Sequence, residues 1–269
     1  MEKKADVVLL GVRGSLPVSG AAFAQYGGAT ASVFVRMGGE AILLDGGSGL
    51  LRERTWMQAL PKQLHILLSH PHIDHLLGLP ACPALFDPER QVTLWAARRM
   101  GLSPQEQVTA LMAPPLWPVG PDAFPHMAWR EIVQPSFSIG PIQVDVMEGS
   151  HPGGVSVFRL SCDGRSLVYA TDCELTEDVF PQLAEFSKNC DLLLFDAQYT
   201  GEEYASREGW GHTSLPVALR FVQAAQAKRT VFIHHDPFRT DAMLDEMAAA
   251  LKQTHPTCSF GRSGEELTI

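Results

Sequence analysis

Residues 67–75 constrain this chain more than any other part of its sequence. They read Leu-Leu-Ser-His-Pro-His-Ile-Asp-His and bring His70, His72, Asp74 and His75 together at the end of an apolar segment. Imidazoles and carboxylates are rarely buried without partners, so apolar packing does not explain this cluster. They are, however, the side chains that a pair of borderline divalent metals takes as ligands. We therefore expect a metal site here.

The strand expected before the cluster indicates how its members would face one another. Residues 64–68 alternate as a strand that would deliver His70 at its end. Alternation would then put His70 and His72 on the same side of the chain. Asp74 and His75 follow where the chain turns, so they can bind a second ion next to the first.

The pattern His-x-His-x-Asp-His after an apolar strand resembles the metallo-β-lactamase superfamily. Four further motifs of that superfamily are present in the expected order, one before this pattern and three after it. They are Ala41-Ile-Leu-Leu-Asp45-Gly-Gly, Gly149-Ser-His151-Pro-Gly-Gly, Leu167-Val-Tyr-Ala-Thr-Asp172 and Val231-Phe-Ile-His234-His235-Asp-Pro. The resemblance covers roughly residues 5–237, and five motifs in this order are very specific.

The resemblance implies two divalent metal ions and a ligand set for each. The first ion would be bound by His70, His72 and His151, the second by Asp74, His75 and a later histidine, and Asp172 would bridge both. Zinc is the default metal for a histidine-rich set, whereas manganese or iron is also accepted by carboxylate-rich sites.

Two adjacent histidines compete for the last ligand position. In a strand the side chains of His234 and His235 would point to opposite faces. Related sequences carry Lys-Arg at a fixed distance before the ligand, and Lys228-Arg229 on that pattern favours His234 over His235. The other histidine would then contact ligands or substrate. Asp45 would orient a ligand histidine rather than bind metal.

The remaining pattern predicts a layered α/β fold. Strands are predicted at residues 7–10, 32–35, 41–44, 64–68, 92–95, 142–146, 155–160, 167–170, 192–195 and 231–233, and helices at 214–228 and 241–252. The resemblance implies an αββα sandwich, in which two mixed β-sheets lie face to face with helices outside. Because the metal motifs run from Asp45 to His234, we expect residues 1–269 to form a single domain.

Residues 80–136 stand apart because prolines and aromatic residues alternate there. Pro114, Pro115 and Trp117 are examples. Proline is excluded from helix interiors, so a rigid surface excursion is one interpretation. The other is a lid or pocket wall beside the metal site, because loops often carry specificity. His126 in this segment is a candidate for substrate contact.

Composition limits the expected partners and compartment. The chain of 269 residues is 45% hydrophobic, which allows a large core. Neither a signal peptide nor a membrane-spanning segment is evident. Five scattered cysteines suit a reducing cytoplasm better than a disulfide scaffold. The net charge of −9 argues against a protein built to bind nucleic acid.

Within the superfamily, the closer resemblance is to the branch of ribonuclease Z and the cyclic-phosphate phosphodiesterases. In that branch an acidic residue ends the strand after the bridging Asp, as Asp196 does here. A Gly-His-Ser/Thr element precedes the penultimate helix, as Gly211-His212-Thr213 does. By resemblance, His212 would protonate the leaving oxygen and Asp196 would orient His212. Asp74 would be both a ligand and a catalytic residue.

The expected function is therefore a dinuclear metal hydrolase. We expect a phosphodiesterase that acts on a small or cyclic phosphodiester by attack of a metal-held hydroxide. The short interval between His151 and Asp172 leaves no room for the arm with which ribonuclease Z grips tRNA. A lactone or thioester hydrolase of the same fold is one alternative, and a non-catalytic metal-binding module is another.

Overall fold

A computed structural model of the protein describes residues 6–51 and 60–269. In these residues the strands are β1 Asp6–Gly11, β2 Ser32–Met37, β3 Glu40–Leu44, β4 Gln63–Leu68, β5 Gln91–Ala96, β6 Met127–Glu131, β7 Ser136–Ile139, β8 Ile142–Gly149, β9 Val155–Cys162, β10 Arg165–Ala170, β11 Leu192–Asp196, β12 Thr230–Ile233, β13 Cys258–Phe260 and β14 Glu266–Thr268. They form two seven-stranded sheets, ordered β14-β1-β2-β3-β4-β5-β6 and β13-β12-β11-β10-β9-β8-β7.

Helices connect the strands and cover the outer faces. The α-helices are α1 Ile73–Leu76, α2 Pro104–Leu111, α3 Val179–Phe186, α4 Gly201–Tyr204, α5 Leu215–Ala225 and α6 Asp241–Thr254, and short 3₁₀ turns lie at Ala21–Phe23, Ser48–Leu51, Leu79–Ala81, Pro83–Leu85 and Pro121–Ala123. No helix within residues 6–51 and 60–269 is long and apolar enough to cross a membrane.

Both sheets are mixed, as predicted. In the first sheet β14, β1, β2 and β3 pair antiparallel, while β3 to β6 pair in parallel. In the second sheet β7 to β10 pair antiparallel, while β10 to β13 pair in parallel. The carboxyl ends of parallel neighbours lie at one edge of a sheet, so residues that follow β10, β11 and β12 are brought together.

Three apolar layers hold the sandwich. The central layer contains inward-facing residues of both sheets, such as Leu44 and Leu194, and is fully buried. Side chains that alternate with these along the strands point outward. Leu43 is one of them and packs on the outer side of the first sheet. Phe195 packs under the helices that cover the second sheet. Strands with both faces buried become continuous apolar runs, which explains why these strands were evident from the sequence.

The structure differs from the sequence prediction mainly at the edges of the sheets. The strands β6, β7, β13 and β14 were not predicted, and each lies at the edge of a sheet. Edge strands bury fewer side chains, so they lack a long apolar run. Four α-helices, α1 to α4, were also not predicted.

The two predicted helices are present with shifted ends. Helix α5 stops at Ala225 rather than at residue 228, because Gln226 adopts a left-handed conformation with φ of 52°. Helix α6 extends to Thr254, and the hydroxyl of Thr240 caps its first turn by accepting from the Met243 N–H.

The segment 80–136 is built into the fold and does not stand apart from it. It contributes β5 and β6 to the first sheet and helix α2 to the outer layer. Its aromatic residues pack together: the rings of Phe86 and Phe124 lie 5.0 Å apart, centroid to centroid, and Phe124 is buried. The two strands and the helix of this segment thus belong to the layers of the sandwich, whereas Pro114 and Pro115 are exposed.

Candidate metal centre

The site residues lie where strands of both sheets end. Asp45 follows β3, His70 follows β4, Asp172 follows β10 and His234 follows β12. Three of these residues have the positive φ that non-glycine residues rarely adopt: 62° at Asp45, 50° at Asp172 and 61° at His234. Such conformations persist only where the surrounding structure enforces them, and they concentrate at functional sites.

The first group of candidate ligands consists of three imidazoles. Nδ1 of His72 lies 3.0 Å from Nε2 of His70 and 3.0 Å from Nε2 of His151. Burial lowers the pKa of His70 well below its usual value and that of His151 to about 4. Neutral imidazole is the form that binds metals, so these three converging nitrogens suit a cation.

The second group consists of Asp74, His75, Asp172 and His234, all of which are buried. Nε2 of His75 lies 3.3 Å from Oδ2 of Asp74, and Nε2 of His234 lies 3.0 Å from the same oxygen. Burial alone would raise the pKa of Asp74, but the adjacent His75 and His234 hold it well below its usual range. Asp74 is therefore a carboxylate.

Asp172 lies between the two groups. Its Oδ2 is 3.7 Å from Nε2 of His70 and 3.4 Å from Nε2 of His75, while its Oδ1 is 3.1 Å from Nε2 of His234. Burial would raise the pKa of this carboxyl group, but His234 and His75 hold it well below its usual value. One carboxylate thus faces both sets of nitrogens.

These residues fit divalent metal ions. Within each group the potential ligand atoms lie within 4.8 Å of one another. Nε2 of His75 is buried and has no hydrogen-bond partner among the described residues. A buried polar atom without a partner is costly, and a coordinated cation between Asp74, Asp172 and this nitrogen would remove that cost. The donor set of imidazole and carboxylate is the one that zinc and similar ions prefer.

Asp45 supports the site from behind and belongs to neither group. Its Oδ2 lies 2.7 Å from Nδ1 of His75 and accepts hydrogen bonds from the hydroxyls of Ser69 and Tyr169, both at 2.8 Å. Its Oδ1 accepts the Ser69 N–H at 2.7 Å. A carboxylate in this position would fix the ring orientation of His75, which is the role expected of Asp45.

Further partners of the histidines were not predicted. The hydroxyl of Ser69 lies 3.0 Å from Nδ1 of His70, and Gly211 accepts at its carbonyl oxygen from Nδ1 of His151, also at 3.0 Å. Oε1 of Gln198 lies 3.1 Å from Nδ1 of His234. Single polar residues in loops carry no sequence pattern, so no signal marked Gln198 or Gly211 for this contact.

His212 and Asp196 form a buried pair beside the metal groups. Nδ1 of His212 lies 2.6 Å from Oδ2 of Asp196, and Asp196 is fully buried. The His212 ring stacks on the ring of His234 at 5.1 Å, centroid to centroid. Asp196 ends β11 between β10 and β12, so the parallel order of these strands brings it to Asp172 and His234.

The structure brings His234, and not His235, into the site. Nε2 of His235 lies 2.9 Å from the carbonyl oxygen of Gly261, and its backbone N–H donates to Val12. Burial lowers the pKa of His235 to about 3, so this imidazole is neutral. It packs edge-on against Tyr26, which makes it part of the supporting core.

The metal groups open into a cleft of about 260 Å³. Its lining residues are Ser15, His72, Ile73, Asp74, His151, Asp172, Trp210 and His212. Three of them were not predicted: Ser15, Ile73 and Trp210. The N–H of Ser15 donates to Oδ2 of Asp74 at 2.8 Å. His126 is exposed and is not part of this lining, nor is any other residue of 80–136.

Comparison with known proteins identifies the class. Residues 40–235 match the family model described as the beta-lactamase superfamily domain, so the chain belongs to this superfamily. Ribonuclease Z of Pyrococcus furiosus is 23% identical over 288 aligned residues, which cover 88% of this chain and 90% of the relative. The predicted superfamily is confirmed, and this relative comes from the branch that the sequence resembles.

Solved structures agree on the fold. The metallo-β-lactamase fold protein YhfI of Bacillus subtilis superposes with a TM-score of 0.75 at 19% identity, covering 99% of this chain and 100% of that one. A diphosphatase of the PhnP family superposes with a TM-score of 0.75 at 18% identity, covering 98% of each chain. Within this fold, the clustered histidines and aspartates are side chains that could hold metal ions.

Proposed function

We propose that the protein is a dinuclear metal-dependent phosphodiesterase that acts on a small or cyclic phosphodiester. The observation that carries this proposal is the buried His212–Asp196 pair. It lies next to Asp172, the carboxylate that faces both sets of candidate ligands. An alkoxide released from phosphorus needs a proton, and a histidine held by a carboxylate can deliver it.

The candidate ligands form two sets, one for each metal position. His70, His72 and His151 would hold one ion, while Asp74, His75 and His234 would hold the other, and Asp172 would bridge them. Bound divalent ions supply Lewis acidity and activate water as the nucleophile at neutral pH. The three-imidazole group makes zinc the first metal to test.

His212 has the position of a general acid. Because its Nδ1 faces Asp196, its Nε2 is the nitrogen that can hold a proton for the leaving oxygen. Asp196 fixes the ring through this contact, and its Oδ1 accepts the N–H of Gln198 at 2.8 Å. The carboxylate therefore has little freedom to turn away from His212.

The surroundings of the site favour a small substrate. A second cavity of about 680 Å³ adjoins the cleft through His151, and Glu174, Glu177 and Glu208 line it. No lysine or arginine is among the described residues that line either space. A long polyanion gains affinity from clustered cations, so such a surface disfavours extended RNA.

The names of two similar proteins support chemistry at phosphorus. One is a ribonuclease and the other a diphosphatase, and both names describe cleavage of bonds to phosphorus. A lactone or thioester hydrolase would use the same activated water against a carbonyl group. A thiolate leaving group needs little proton donation, so His212 has no clear use in thioester hydrolysis.

A substrate panel tests the proposal directly. Metal-loaded protein is assayed with bis-p-nitrophenyl phosphate, cyclic nucleotides, a lactone and a thioester, and Asp172→Ala is the matched inactive control. We expect turnover of the phosphodiesters that the variant lacks. Preference for the lactone or thioester would replace the proposal with acyl hydrolysis. A fully metal-loaded protein that turns over none of the panel would favour a binding module.

A further inference from the structure

The mouth of the cleft carries a large exposed aromatic ring. Trp210 lines the cleft, yet 59% of it is exposed. It lies two positions before His212, between glycines with positive φ, 82° at Gly209 and 89° at Gly211. A single exposed apolar residue needs no explanation, but this one borders a polar, metal-binding floor, where ligand pockets place their apolar walls.

The backbone around Trp210 is fixed by a buried carboxylate. Glu174 accepts the N–H of Gly209 at Oε1 (2.8 Å) and the N–H of Gly211 at Oε2 (3.0 Å), and it is only 4% exposed. The N–H of Trp210 itself donates to the carbonyl oxygen of Arg207 at 3.1 Å. These bonds hold the loop in one conformation, so little ordering is needed when a ligand contacts the indole.

A second apolar side chain borders the same cleft. Ile73 lines it and is 49% exposed, although it belongs to helix α1, which carries Asp74. The space above the metal-binding residues thus combines a polar floor with an apolar rim.

We infer that one ester group of the substrate is a flat aromatic or heteroaromatic ring, which stacks on Trp210. This inference rests on the proposed function, because the floor of the cleft must hold the phosphate while the ring lies on the indole. Stacking on an aromatic side chain strengthens binding on the order of ten-fold, which equals about 1.4 kcal/mol. A nucleobase and an aryl ester both supply such a ring.

Two pairs of ligands test the ring while keeping the phosphate constant. Dissociation constants for AMP against ribose 5-phosphate, and for phenyl phosphate against methyl phosphate, are measured by calorimetry on metal-loaded protein. The proteins compared are wild type, Trp210→Ala, Trp210→Phe and Phe238→Ala. Phe238 is the control because it is 83% exposed and does not line the cleft.

We expect wild type and Phe238→Ala to prefer the ring-bearing member of at least one pair about ten-fold. Trp210→Phe should keep the preference and Trp210→Ala should lose it. The pair that responds identifies a nucleotide or an aryl ester as the source of the ring. If wild type and Trp210→Ala prefer the ring-bearing ligand equally, the inference is overturned. The proposed function still stands in that case, provided that the wild type hydrolyses bis-p-nitrophenyl phosphate. Failure of all four ligands to bind, without such hydrolysis, overturns it together with the proposed function.

Discussion

Nδ1 of His75 lies 2.7 Å from Oδ2 of Asp45, and neither side chain is accessible to solvent. This contact turns Nε2 of His75 toward Asp74 and Asp172, where it has no hydrogen-bond partner in the part of the chain that the structure describes. A carboxylate that lies outside the two candidate ligand groups thus determines which nitrogen of His75 faces Asp74 and Asp172.

Asp172 and Asp45 should therefore differ in the effect of their loss. Asp172→Ala removes the carboxylate shared by both metal groups, so we expect loss of metal and of activity. Asp45→Ala removes the partner that orients His75, and loss of such a partner typically costs ~10–100-fold in affinity or activity. Elemental analysis and diester hydrolysis measure both effects. Normal metal content in Asp172→Ala would contradict the bridging role.

Metal content and stability should change together. Purified, metal-loaded protein should contain close to two ions, because each group offers a separate set of ligands. Removing the ions with a chelator should lower the melting temperature, since ions that bind only the native state stabilise it by mass action. Re-addition of zinc should restore the loss. An ion count of one or fewer in metal-replete protein would refute the dinuclear site.

His212→Ala should retain its metals and lose rate according to the leaving group. General acid catalysis contributes typically ~10²–10⁴-fold, so diesters with alkyl leaving groups should slow by about this factor. A p-nitrophenyl ester should slow much less, because its leaving group scarcely needs a proton. Kinetics on the two substrates, with metal analysis, measure the difference.

Asp196→Asn is the matched control for the general acid. It keeps the size of the side chain but removes the charge that faces Nδ1 of His212. The rate should again fall more for alkyl leaving groups than for p-nitrophenyl. Both losses should be smaller than those in His212→Ala. Equal losses on both substrates in His212→Ala would instead assign that residue to binding or folding.

The adjacent histidines give a second matched comparison. His234→Ala should lose metal, because Nε2 of His234 faces Asp74 and Asp172. His235→Ala should keep its metal but leave the carbonyl of Gly261 without its partner, at a cost of about 1–3 kcal/mol in unfolding free energy. Metal analysis and denaturant unfolding separate the two. Metal loss from His235→Ala alone would reverse the assignment.

Cysteine labelling tests the packing of the core. Burial raises the pKa of Cys190 to about 12, so its thiol stays protonated at pH 8, where an exposed cysteine is partly thiolate. A thiol reagent at pH 8 should therefore react slowly with the native protein. After denaturation it should react rapidly with all five cysteines. Rapid native labelling of Cys190, located by peptide mapping, would contradict this packing.

The predicted strands are those in the interior of the two sheets, and the strands that escaped prediction are those at the edges. Interior strands such as β3 and β11 bury both faces, so their sequences are continuous apolar runs. An edge strand such as β6, where only part of Met127 and Trp129 is covered, owes its pairing to β5 rather than to its own sequence. Tertiary contacts of this kind leave no local pattern.

The candidate ligands could be predicted because their residue types are rarely buried without partners and recur in known motifs. Ser15, Gln198 and Trp210 could not, because each reaches the site from a loop whose path depends on the whole fold. Ser15 contacts Asp74 through its backbone N–H, a group that every residue except proline carries. Such a contact depends on position and not on residue type.

The packing of Gly211 against His151 determines which positions of this loop can accept another residue. Any side chain at position 211 would place its Cβ in the imidazole ring of His151, so the backbone there leaves no space for another residue. The neighbouring indole meets no such restriction, since most of its surface faces solvent. We therefore expect a substitution at position 210 to alter the mouth of the cleft while the backbone at Gly211 and the ring of His151 keep their positions.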